Sequence, residues 1–588
     1  MKNIEVKQSI FLSSKSLAVF TLLFNLIWIF QGVDIKDNGM HVANQFFLSK
    51  GYLSLPTPFA IFSDIIGGLW LHGISLYSLV WVRCGYLLLI TLCSLLSYSV
   101  LSYYFPVKRV WIACVATAIF VPATNTLISI NYDTFPAFLI CLIIFLVHKA
   151  LISRPLSFWF CCYTSLSGFA FGLLIFSRLP ALLGVFAGIL VVVYSIIFKA
   201  RPITILYTIL TFIFGMIVSA AISFILLDIY GLNNDLINFF NDYLNQSVVK
   251  NKGAHGSESL LKMYFSDFTK FVLVIAVVFF TYAYFLSHLI SKIGKSSTFS
   301  IFSGLLVCGV IFGYYHYGNN AFLVHYATRW AIGFILCIII AEIFINGRNW
   351  SGLIVLSIVV GFSTILPALG SNSALGKSIH GMWISLPMAL LLGWEMQTRG
   401  KSKVIKQMSE FIPTIIGMVF VLGLVLRLTW QYKEVDNRFI QNVPFKFPAM
   451  KGIYSHASRT KALDEVLFEI KNRSKPGSPL IIEPYAPLLY YLSGTVPAFK
   501  TSYIRTLSDE KRIDRYNSTV SSNRPEIVVL SLVNPKSENW PIESSGDSDY
   551  RSNDDILIEI RREVIKPLGM KLLWTNNVFE IYGLPKND

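Results

Sequence analysis

The chain has 588 residues, 54% of them hydrophobic and only 14% charged, with a mean hydropathy of +0.60. Soluble domains are nearer a quarter charged, so a water-soluble reading of the whole chain is excluded. The net charge of +16 does not indicate a nucleic-acid module: no basic–aromatic cluster accompanies it, and the cations gather in short connections between apolar runs, as the positive-inside rule expects.

Taken in chain order, apolar runs of about 17–25 residues, each long enough to cross roughly 30 Å of hydrocarbon, predict about thirteen transmembrane helices. They fall near 10–30, 79–104, 108–124, 132–150, 158–178, 180–198, 203–227, 269–291, 299–317, 326–345, 350–367, 378–396 and 411–430. The first run is too long for a cleaved signal peptide, and Gln31-Gly32-Val33-Asp34 offers no small-residue cleavage site, so it is expected to remain a membrane helix. All eight cysteines lie in or beside apolar runs, without disulfide or metal-ligand spacing.

Basic residues mark alternate connections. Lys2, Lys7 and Lys15 precede the first helix, and Lys108 with Arg109, Lys149 with Arg154, Lys199 with Arg201, Lys292 with Lys295, Arg348, and Arg399 with Lys401, Lys403 and Lys406 follow. This pattern places the N-terminus in the cytoplasm, and an odd helix count places the C-terminal region on the opposite side. The intervening connections are longer and carry most of the acids and amides. The first, about 31–78, contains Pro56, Pro58 and the stretch FAIFSDIIGGLWLHGISLYS, read as an interfacial helix because of Asp64 and His72. The second, about 228–268, is polar and then rich in Gly, Ser and His. The third, about 367–378, is PALGSNSALGK.

From about 432 the pattern changes. TKALDEVLFEIKNRS has helical periodicity, PLIIEP, PEIVVLSL and LLWTNNVFEIYGL read as short strands, and NDDILIEIRREVIKPLG reads as a helix closing at Pro567 or Gly569. The expected fold is therefore a polytopic α-helical membrane region, 1–431, followed by a small soluble α/β domain, 432–588, with no Gly-rich phosphate loop.

Candidate chemistry lies at the outer helix ends. Asp34 and Asp37 follow the first helix in QGVDIKDNGMHVANQFF, where a carboxylate can serve as general base, and Gly39 allows a close backbone approach. Asp133, with Asn131 and Tyr132, opens the fourth run in SINYDTFPAFL, where an acid can equally complement the helix dipole. Arg178 precedes Pro180 in LLIFSRLPALL, and its guanidinium suits a lipid phosphate. His325 and Arg329 lie in NNAFLVHYATRWAIG, Lys377 and His380 follow GSNSALG, and Arg83, which opens the second helix, is expected to snorkel.

At VDIKDNGMHVAN the sequence resembles the GT-C superfamily of membrane glycosyltransferases, and NYDTFPAFL, FGLLIFSRLP and GSNSALGK are similar to its bacterial members. The resemblance implies a helical core, an acidic motif in the first outer loop, a C-terminal soluble domain on the same side, and sugar donors carried on polyprenyl phosphate. It implies Asp37 as catalytic base with Asp34 as second choice. Arg178, Arg329 and Lys377 would hold the donor phosphate, and Asp133, Asn131, Tyr132 and His325 would line donor or acceptor sugar. Where the family often has Asp-Glu this chain has Asp37-Asn38, so neither a metal nor another cofactor is indicated. The expected activity is inverting transfer to a cell-surface glycan or glycolipid acceptor at the outer face of a bacterial inner membrane, in lipopolysaccharide or O-antigen chemistry. A transporter or flippase is the alternative, and a glycan ligase or polymerase, leaning on His325 and Arg329, is a third reading.

Overall fold

A computed structural model describes residues 13–51, 60–73, 78–124, 127–178, 202–233, 321–346, 352–369, 374–399, 412–430, 438–507, 509–533 and 555–585, and the single positions 237, 262, 265 and 434. The membrane region is built from α1 (Ser14–Leu26), α2 (Asp37–Ser49), α3 (Ile61–His72), α4 (Leu79–Leu101), α5 (Val107–Ala123), α6 (Thr134–Ile152), α7 (Phe158–Ser177), α8 (Pro202–Ile229), α9 (Ala321–Asn346), α10 (Gly352–Ile365), α11 (Met382–Arg399) and α12 (Ile412–Thr429). Five described helical stretches are long and apolar enough to cross a membrane, and the chain is an integral membrane protein. The runs expected over 180–198, 269–291 and 299–317, and most of the 228–268 connection, lie outside the described residues.

Two of the helices, α1 and α7, begin where a serine side chain replaces a missing first-turn acceptor. Ser13 Oγ accepts from the Ser16 N–H at 3.3 Å, and Ser157 Oγ accepts from the Phe160 N–H at 3.2 Å. With 12 residues, α3 is too short to span, and it packs against α2. Helices α7 and α8 approach so closely that a Cβ on Gly168 would run into the Phe212 carbonyl and one on Gly215 into that of Ser165. Small residues of this kind let membrane helices gain contact where no hydrophobic drive separates helix from lipid. The far side of α8 turns Leu206, Phe214 and Ile217 outward.

Arg83 does not snorkel. It is buried, and its guanidinium donates to the carbonyls of Ile29, Gln31 and Gly32, binding the chain where it leaves α1. Three carbonyls supply the partners that a desolvated guanidinium requires, which the position of Arg83 near a helix end did not reveal.

The C-terminal region comprises β1 (Val443–Pro444), β2 (Tyr454–Ser455), α13 (Ala457–Arg473), β3 (Pro479–Glu483), α14 (Leu488–Ser493), β4 (Val496–Pro497), α15 (Asp509–Ser521), β5 (Ile527–Ser531), α16 (Asp555–Ile560), β6 (Lys571–Thr575) and β7 (Phe579–Gly583). Its main sheet has the order β4-β3-β5-β7-β6, with β3 parallel to β4 and β5, and β7 antiparallel to β5 and β6. Strand alternation sends Leu480 and Ile482 to the core shared with Val466, Leu467 and Ile470 of α13, and Ile481 to the opposite core with Tyr516 and Ile560. LLWTNNVFEIYGL is a hairpin rather than one strand: Asn577 takes the left-handed conformation at φ 64°, which asparagine tolerates. After Ile560 the last helix widens into a π-turn over Arg561–Ile565 and ends at Gly569, φ 65°.

The core on the α13 side also contains Val33, Ile35, Val42, Phe46 and Phe47 from the first loop and α2. Gly39 of α2 stands against α14, where an added Cβ would lie 2.7 Å from Leu488 Cβ and 2.9 Å from its backbone nitrogen. Gly39→Ala is therefore expected to cost about 1–3 kcal/mol by overpacking, read as a lower thermal unfolding midpoint. An unchanged midpoint would show that α2 and α14 are not in this close contact.

Candidate active site

Asp34 and Asp37 occupy different positions in the loop-to-α2 junction. Asp34 Oδ1 accepts from the N–H groups of Lys36 (3.0 Å) and Asp37 (3.1 Å), and Oδ2 accepts from that of Asn38 (2.9 Å). Both its oxygens thus cap the helix. Asp37 is the acid in the first turn of α2, where the helix dipole favours a negative charge.

The next loop is fastened to this junction. Ser129 Oγ donates to Asn38 Oδ1 at 2.6 Å, Asn131 Nδ2 donates to the Ser129 carbonyl at 2.9 Å, and Asn131 Oδ1 accepts from the Asp133 and Thr134 N–H groups at 2.8 and 3.1 Å. Asn131 is fully buried, and its amide organises the start of α6.

Asp133 is the centre of a buried ionic cluster. Its Oδ1 accepts from Arg178 Nη1 at 2.9 Å, its Oδ2 from Lys377 Nζ at 2.5 Å, and His380 Nε2 lies 3.5 Å from the same Oδ2. Arg178 follows the last residue of α7 and also donates to the Pro367 carbonyl. Lys377 and His380 sit three residues apart on the 3-10 helix Ala374–Gly381, whose threefold repeat puts both on one face. The Tyr132 ring lies 5.3 Å from the Lys377 ammonium and 5.8 Å from the Arg178 guanidinium.

Electrostatics follow from this packing. Asp133 precedes the α6 span. Burial pushes its carboxyl up, but Lys377, His380 and Arg178 outweigh burial and hold it well below the usual carboxylate range. Burial, then Asp133, push the Tyr132 hydroxyl up, Lys377 and Arg178 pull it down, and Asp37 adds a further upward push. Two cations, Arg178 and Lys377, contact the one Asp133 carboxylate, so among the described residues that ion-paired cluster carries one more cation than carboxylate. Such a site favours an added anion.

The C-terminal region also meets the loop that leads into α2. Lys36 lies 4.8 Å from the Tyr485 ring, and Arg505 lies 5.2 Å from the same ring and donates to its hydroxyl at 3.2 Å. Burial and Glu483 push the Tyr503 hydroxyl up, and Asp37 contributes to that shift. The charge of Asp37 therefore bears, at longer range, on both Tyr132 and Tyr503.

Asp133, Tyr132, Arg178 and Lys377 meet, and the charge of Asp37 contributes to the field at Tyr132. His325 and Arg329 lie on α9, whereas the contacts described for the Asp133 carboxylate come from Arg178, Lys377 and His380. The sequence reading did not single out His41, Lys36, Tyr503 or Arg505. His41 had a signal, since it follows Asp37 by four residues and shares its helix face. Among the described residues, no group of three His, Cys, Asp or Glu side chains could hold a metal ion.

Fold and site are those of an integral membrane protein with a buried cationic centre beside an acidic loop. No protein-family model and no curated protein matches the chain. Among solved structures it is similar to ArnT from Cupriavidus metallidurans bound to undecaprenyl phosphate, at 11% identity over 97% of this chain and 98% of that one, with a TM-score of 0.43. It is also similar to the oligosaccharyltransferase AglB from Archaeoglobus fulgidus in complex with an inhibitory peptide and a dolichol-phosphate, at 12% identity over 89% of this chain and 70% of that one, with a TM-score of 0.48.

Proposed function

We propose that this chain is an inverting glycosyltransferase that moves a sugar from a polyprenyl-phosphate carrier to a cell-surface glycan or glycolipid. The observation that carries the reading is the pair of cations, Arg178 and Lys377, that share the single Asp133 carboxylate beside the Tyr132 ring. The sequence resemblance to the GT-C superfamily supports the same reading. In this mechanism Asp37 takes the proton of the acceptor hydroxyl, whose oxygen attacks the anomeric carbon in line. The bond from that carbon to the phosphate oxygen breaks, and the lipid phosphate leaves with the electron pair, stabilised by Lys377 and Arg178. One displacement inverts the anomeric centre.

Asp34 holds the loop and Asn131 holds the start of α6 in this scheme. The proposal includes thirteen spans over residues 1–431, a cytoplasmic N-terminus, and a soluble domain, 432–588, on the periplasmic side of a bacterial inner membrane. The test supplies membranes containing the chain with a panel of radiolabelled polyprenyl-phosphate sugars and with cell-envelope acceptors. Release of polyprenyl phosphate that depends on acceptor is expected. Folded protein that turns over no donor would sink the proposal in favour of a transporter or flippase, whereas loss of activity only at His325 and Arg329 would point to a ligase or polymerase.

A further inference from the structure

One turn beyond Asp37 on α2, His41 is buried. Its Nδ1 lies 3.1 Å from Asp64 Oδ1, and Asn44 Nδ2 donates to Asp64 Oδ2 at 3.3 Å. Asn44 Oδ1 in turn accepts from Ser502 Oγ of the C-terminal region at 2.7 Å. A carboxylate can only accept, so against the Asp64 carboxylate the ring proton of His41 sits on Nδ1. In the neutral ring this leaves a lone pair on Nε2. Among the described residues, no protein group bonds to His41 Nε2.

The imidazole packs against Tyr132, with ring centroids 4.8 Å apart. The same Tyr132 ring lies 5.3 Å from the Lys377 ammonium. Four residues of helix separate His41 from Asp37, about 6 Å along the axis. The imidazole is therefore one ring away from the cations proposed to hold the phosphate, and about a sugar's width from the proposed base. A carboxylate that orients a buried histidine while its other nitrogen lacks a protein partner is an arrangement for ligand recognition, because buried polar atoms are otherwise satisfied.

We propose that His41 and Asp64 form a hydroxyl-binding subsite in which Nε2 accepts a hydrogen bond from a sugar hydroxyl of the bound substrate. The inference rests on the glycosyltransferase reading and adds a recognition element to it. Asp64 acts as a positioning residue that fixes the tautomer. In Asp64→Asn the amide N–H can donate to Nδ1, which places the ring proton on Nε2 and removes the acceptor. His41→Phe keeps a ring against Tyr132 and removes both nitrogens.

The test measures equilibrium binding of undecaprenyl phosphate, bare or loaded with glucose, mannose, galactose or arabinose, to purified full-length protein, together with the acceptor KM in the transfer assay. Both variants are expected to bind bare undecaprenyl phosphate as the wild type does and to bind the best sugar-loaded lipid about tenfold or more weakly. If the hydroxyl belongs to the acceptor, loaded-lipid binding stays intact and the acceptor KM rises by about the same factor; either pattern supports the subsite and identifies its source. Equal losses for bare and loaded lipid would indicate packing alone and overturn it. So would unchanged binding and KM in both variants. A wild type that does not bind bare undecaprenyl phosphate would remove the glycosyltransferase reading and the subsite together, while wild-type binding with unaffected variants removes only the subsite.

Discussion

Asp37→Asn is expected to lower turnover of a polyprenyl-phosphate sugar by about 10²–10⁴-fold, the range that a positioned general base contributes. Asparagine matches aspartate in size and leaves the three N–H bonds to Asp34 in place, so α2 should still begin at the same residue. The amide cannot accept the acceptor's proton. Donor binding should change little, because the phosphate contacts are assigned to Arg178 and Lys377, and the loss should fall on kcat. Single-turnover transfer in detergent, with binding of the donor measured separately, reads the two effects. Turnover that survives at the wild-type rate would remove Asp37 as base and move the role to Asp133 or Asp34.

Arg459→Met is expected to destabilise the protein by about 3–5 kcal/mol, the cost of leaving a buried charge without its partner. Arg459 is fully buried, and its Nη1 lies 2.6 Å from Glu434 Oε1. The same oxygen accepts from the Val33 N–H at 3.0 Å and from Ser455 Oγ at 2.8 Å. This carboxylate therefore joins α13 and β2 to the loop that leads into Asp34 and Asp37. Loss of Arg459 should lower the thermal midpoint and also impair turnover, since the loop loses its support. Adding Glu434→Leu should restore part of the stability, because the uncompensated charge is then gone. A double variant no more stable than Arg459→Met would show that the packing of the arginine stem, rather than the ion pair, holds this contact.

Membrane insertion and the acids at helix starts were legible in the sequence because each depends on neighbours along the chain. Apolar runs identify membrane helices, and caps such as Asp34 act on N–H groups two to four residues away. The short reach of these interactions also made Asp133 visible as an acid at a helix start. Its partners were a different matter. Arg178 and Lys377 stand 45 and 244 residues from Asp133, and the sequence reading gave them to phosphate and Asp133 to sugar without joining them. A buried charge requires an opposite charge or carbonyl dipoles, but it can draw them from any element that packing brings near. That freedom is why Arg83 was expected at the surface and is found donating to three carbonyls, and why Asp64 was read as a mark of an interfacial helix and is found beside His41. Hydropathy and local capping determined where the chain enters the membrane and where its helices start. Long-range charge compensation, which only tertiary packing can supply, decided which of those ends came together.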